Sequence, residues 1–118
     1  MKVRTATTRH NQTAQALAQL DQNTPRSADA ALIFYDCQHD AVAVQAHMRN
    51  RYPKAALIGG SSHGGVLDRD GVAGPGSVGV LTIEDADGAF GAAIRDKAGD
   101  PATAAEQALR DAIDDAGC

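Results

Sequence analysis

Two short apolar runs separated by one helix-length stretch constrain this chain more than any other feature. Ala30 to Tyr35 reads Ala-Ala-Leu-Ile-Phe-Tyr, and Ala55 to Gly59 reads Ala-Ala-Leu-Ile-Gly. Both runs are too short for helices and are bounded by polar or turn residues, which is the pattern of strands buried in a helix-covered sheet. Between them, a helix is expected from His39 or Asp40 to about Tyr52, with Asp40 as its cap, Val44 and Met48 inward, and Pro53 as its stop. Strand, helix and strand in this order predict a βαβ unit with parallel strands.

The flanking sequence extends that unit. Residues 2–9 alternate and are rich in β-branched residues, which predicts an edge strand. Asn11 or Thr13 can cap a following helix that turns Ala14, Leu17, Ala18 and Leu20 inward. Residues 68–77 carry turn chemistry, and Ser77 to Ile83 predicts a further apolar strand. Asp85 to Gly88 reads as a turn, with Ala89 to Arg95 as the return strand of a hairpin. Asp100 followed by Pro101 marks a helix start, Ala104 or Ala105, Ala108, Leu109, Ala112, Ile113 and Ala116 form its inward stripe, and Gly117 ends it. The expected class is α/β (α+β): a mixed sheet of about five strands with about three helices, in the order β-α-β-α-β-β-β-α.

At 118 residues the chain reads as one domain. Net charge is −4 and no basic run or aromatic-basic patch occurs, which argues against nucleic-acid binding. No run has membrane-span length and the N-terminus lacks a signal-peptide core, so the expected location is cytoplasmic. Cys37 and Cys118 form no zinc or CxxC pattern and are expected to be reduced.

The loop from Gly59 to Gly65 is the leading site candidate. Gly59, Gly60, Ser61, Ser62, His63 and Gly64 could present backbone amides and hydroxyls to a small anion, and the same glycines would equally serve a tight turn. His63 could hydrogen-bond a ligand or hold a metal, or simply be an exposed loop histidine. Asp36, Cys37, His39 and Asp40 end the first apolar run at the same predicted sheet edge. A Cys-x-His pair can supply a metal ligand or a nucleophile, while buried cysteines and capping aspartates are the commoner roles of such residues. His47 is expected at a helix surface or boundary, and His10 sits in a strand–helix junction with no partner evident. No Gly-x-Ser-x-Gly elbow is present and no P-loop lysine follows, so no catalytic or metal residues are assigned.

From residue 30 to 117 the order of elements resembles the FIST N-terminal sensory domain. The resemblance rests on Ala30–Tyr35, Asp40–Tyr52, Pro53-Lys-Ala-Ala-Leu-Ile-Gly59, Ser61-Ser62-His63-Gly64, Gly76-Ser-Val-Gly79 and the helix before Gly117. The family's loop resembles Gly-Cys-Ser-Thr-Ala-Gly-Glu, where this chain has Gly60 for the Cys, His63 for the Ala and Gly65 for the acidic residue. The resemblance implies a non-catalytic signalling input that senses a small molecule such as an amino acid or carboxylate, with an output domain outside this chain. It also implies haem in some relatives, with no cofactor otherwise expected. Family members run longer, so the chain is expected to be a fragment or minimal member whose uncovered sheet edge could support a homodimer. Two alternatives stand beside sensing: an interaction or dimerisation module, and a small hydrolase using Ser61 or Cys37 with a nearby histidine.

Overall fold

The computed structural model describes all residues, Met1–Cys118. Its elements are β1 (Lys2–Arg9), α1 (Thr13–Gln22), β2 (Ala30–Asp36), α2 (Ala41–Arg51), β3 (Ala56–Ser62), β4 (Val66–Asp68), β5 (Gly71–Ala73), β6 (Ser77–Glu84) and α3 (Pro101–Asp115). β1, β6, β2 and β3 form a mixed sheet in that order, and β4 pairs with β5 in a separate hairpin. β2 and β3 run parallel across the α2 crossover, and β6 inserts antiparallel between β1 and β2. The α+β class, the mixed sheet and the three helices are those expected from the sequence.

α1 and α2 cover one face of the sheet. Their buried residues Ala16, Leu17, Leu20, Val44 and Met48 meet Ala31 and Ile33 of β2 and Val78 and Val80 of β6. The alternation of a strand decides which side chains enter this layer: 31 and 33 do, and 32 and 34 do not. α2 starts where Asp40 accepts hydrogen bonds from the backbone N–H of Val42 (3.0 Å) and Ala43 (3.2 Å). The C-terminal ends of both helices are tied together by polar groups. Arg51 donates to the carbonyls of Asp21, Thr24 and Pro25, and the Tyr52 hydroxyl donates to Pro25 O at 2.7 Å. His47, expected at a helix surface or boundary, is half-buried and pairs with Asp21 at 2.8 Å.

Several expectations are corrected. β2 is not buried along both faces: on the side away from the helices Phe34 is 49% exposed. The second run is an edge strand, half exposed, and it continues through the Gly/Ser segment to Ser62. α1 is capped by Gln12 without a side-chain bond, not by Asn11 or Thr13. Within residues 68–77, expected as turn only, Gly71–Ala73 form β5, which pairs with β4 in a hairpin that lies over β6 with Val66 against Gly79. Its signal was the Asp70-Gly71 dipeptide between Leu67 and Val72.

The expected return strand, Ala89–Arg95, pairs with no strand. That segment runs beside α3 instead. Gly91 presses on the α3 backbone at Ala112, Ala92 N–H donates to Asp115 at 3.0 Å, and Arg95 pairs with Asp111. α3 begins as expected, with Asp100 accepting from Ala102 N–H and Pro101 in its first turn. Its apolar stripe is not buried, however: Leu109 is 63% exposed. The helix packs on the Gly91–Arg95 strap and not on the sheet.

These two helix faces should respond differently to truncation. Met48→Ala, at a site 2% exposed, is expected to cost roughly 3 kcal/mol through lost transfer energy and a cavity. Leu109→Ala should change stability by no more than about 0.5 kcal/mol. Urea unfolding of both variants checks the contrast; equal losses would place α3 in the core.

Candidate functional site

The carboxyl ends of β2 and β3 are neighbours because the two strands pair in register, Tyr35 with Ser61 and Asp36 with Ser62. Cys37 N–H extends the ladder by donating to Ser62 O at 2.8 Å. Cys37 and His63 therefore stand side by side at the edge where open α/β sheets place ligands. Both are exposed, and Cys37 Sγ lies 3.7 Å from His63 Nδ1. The structure thus brings together two of the expected site residues from loops far apart in sequence.

The other candidates divide. Ser61 and Gly64 are exposed, and Gly60 is half-buried with open space in front of it. The Ser62 hydroxyl is engaged within the chain, donating to Gly65 O at 2.5 Å. Gly59 lies within β3 on the side of Ile33, where a Cβ would collide with the Ile33 carbonyl. Its glycine serves close strand approach. The free loop is accordingly shorter than expected, His63 to Gly65, since Gly59 to Ser62 are strand.

His39 is buried and acts as a structural tie. Its Nε2 lies 2.8 Å from the Gly76 carbonyl. A carbonyl only accepts, so Nε2 carries the hydrogen. In the neutral ring Nδ1 then accepts from the Thr13 hydroxyl at 3.0 Å, which in turn accepts from Asp40 N–H at 3.1 Å. The other side of the Gly76 residue is held by Asp36, whose carboxylate accepts from Gly76 N–H at 2.7 Å. Gly76 has φ +83, and a Cβ there would meet His10 O at 2.9 Å and Gln38 Nε2 at 3.0 Å. His10 N–H completes the set by donating to Gly76 O at 3.0 Å. Gly76 was visible in sequence only as part of a Gly-Ser strand start.

Asp36 is held below the usual carboxylate range. The Gly76 N–H is the largest cause, burial opposes it, and hydrogen bonds from the Cys37 thiol and from the Cys37 and Gly64 backbone add to the lowering.

A groove of about 200 Å³ on the helix-covered side had no sequence signal. Ile33, Tyr35, Leu57 and Gly59 form its floor, Val44 and Met48 its apolar wall, and Gln45 and Arg49 its polar rim. By strand alternation its floor shares a face with Ser61, near the end of β3. His63 lines none of the five principal cavities, and open space flanks Gly60 and Gly64. A haem needs an apolar slot beside its axial ligand, and the surroundings of His63 do not provide one. No group of three or more His, Cys, Asp or Glu side chains is placed to hold a metal. No helix is long and apolar enough to cross a membrane.

Together these features describe an α+β domain with two loops and a small groove at one sheet edge. The profile of the FIST N domain family matches residues 29–117, and the chain belongs to that family. The family is one of sensory, signal-transduction domains that are generally non-catalytic. No curated protein and no solved structure shows a significant match.

Asp36 makes the site end acid-sensitive. Its folded-state pKa is depressed, so its stabilising contribution is complete above the unfolded value of about 3.9 and is lost as pH falls through the folded value. Thermal midpoints measured from about pH 5 downward should therefore fall more steeply for the wild type than for Asp36→Asn. Parallel curves would remove Asp36 from this role.

Proposed function

We propose that this domain is a cytoplasmic sensory input that binds a small amphipathic molecule, such as an amino acid or another carboxylate, without transforming it. Membership of a sensory family supports the class. The observation that carries the site is the groove between α2 and β3, which shares a sheet face with exposed Ser61. Its volume is below the common range of ligand pockets, roughly 300–1,000 Å³, and suits a small ligand. An apolar tail would lie over Ile33, Leu57 and Met48, with its carboxylate toward Arg49 and its remaining polar groups toward Ser61 and Cys37. The output module that reads this event would lie outside these residues.

A second reading is an interaction module. It is favoured by the exposed apolar residues Phe34 and Ile58 on the helix-free sheet face and by the unpaired outer edge of β3. The two readings differ in one screen. A panel of amino acids and small carboxylates should raise the melting temperature of the wild type, by RT ln(1 + [L]/Kd) in free energy. Arg49→Ala should abolish that rise for carboxylates and leave the ligand-free midpoint unchanged. No shift across the panel, in a protein that dimerises by light scattering, would favour the interaction module.

A further inference from the structure

We propose that Cys37 is a covalent modification site, where His63 takes the thiol proton as the sulfur adds to a small, uncharged electrophile of the α,β-unsaturated carbonyl class. The two cysteines of the chain are both free and exposed. Only Cys37 has a base against it, with His63 Nδ1 at 3.7 Å from Sγ. That contact joins the ends of two parallel strands, so the pair is set by the sheet register and not by a chance meeting of surface side chains. Gly60 and Gly64 border the site without obstructing it, and a Cβ at either would meet nothing within 4 Å.

The reagent class follows from the charges that face the sulfur. Asp36, the preceding residue, carries a buried carboxylate held on the Gly76 N–H at 2.7 Å. That negative charge, one residue from the sulfur, disfavours an approaching anion. Attack by the thiol requires its proton to leave as the new bond forms. His63 is the acceptor within reach. His39, the other nearby imidazole, has both nitrogens committed to Gly76 and Thr13. In the step, the S–H bond breaks and its proton passes to His63. The sulfur lone pair forms an S–C bond to the β-carbon, and the C=C π pair moves to the α-carbon. That carbon then takes the proton back from the imidazolium. No oxidant is needed and the product is a thioether.

This inference goes beyond ligand sensing in the groove, and the two fail separately: one is read by a carboxylate-induced melting shift, the other by the rate of a covalent addition. The test uses Cys118→Ser protein, so that Cys37 is the sole thiol, with N-ethylmaleimide and a carboxylate-bearing maleimide as probes, followed by intact-protein mass spectrometry. His63→Ala in this background should slow addition of N-ethylmaleimide roughly tenfold, the modest end of what a positioned base supplies. Added imidazole should restore the rate in that variant. The neutral reagent should also outpace the anionic one by a larger ratio than it does with N-acetylcysteine amide. His63→Gln, which keeps side-chain bulk without a basic nitrogen, gives the same comparison if the alanine variant is unstable. An unchanged rate in both variants, or an anionic reagent that reacts as readily as the neutral one, would overturn the proposal.

Discussion

The functional end of this domain depends on how Gly76 is held. Its N–H goes to the Asp36 carboxylate and its carbonyl receives both His39 Nε2–H and His10 N–H. Four segments therefore meet at one residue: the β1–α1 junction through His10, the end of β2 through Asp36, the β2–α2 turn through His39, and the entry to β6. A buried network of this kind is stabilising only when each member is satisfied. Here no buried side-chain N or O atom is left without a partner. The positive φ of Gly76 and the crowding around its Cα leave no room for another residue.

That knot explains why Cys37 and His63 are presented as they are. Asp36 and His39 point inward to Gly76, so Cys37 between them must point away, toward the neighbouring strand end. His63 follows Ser62, whose own hydroxyl closes the short turn onto Gly65. The buried ties at 36 and 39 leave the chemistry at 37 and 63 exposed. The chain differs here from the family's loop pattern, where a cysteine is expected in place of Gly60. The thiol at this edge belongs to β2, not β3.

The βαβ unit was legible because its signals are local. Apolar runs, the Asp40 cap and Pro53 need no knowledge of distant contacts, and the Asp100-Pro101 start of α3 was equally clear. Other features were not legible because they depend on partners. Gly60, Ser61 and Ser62 read as loop, yet register with Phe34, Tyr35 and Asp36 makes them strand. Ala89–Arg95 has strand-like composition, but Asp115 and Asp111 draw it to α3. The stripe of α3 is amphipathic in sequence, and amphipathicity does not say which surface it meets. In the site, Cys37 and His63 were placed at one edge by topology alone, whereas the structural role of His39 required Thr13 and Gly76, far away in the chain. The groove under α2 was invisible because Val44 and Met48 read as ordinary core.

Amide hydrogen exchange at Gly76 tests the central claim most directly. If its N–H is locked to Asp36 within a fully satisfied network, it should exchange only through global unfolding, as slowly as amides in the middle of β6. Exchange as fast as that of Arg69, at the exposed tip of the β4–β5 hairpin, would contradict the account.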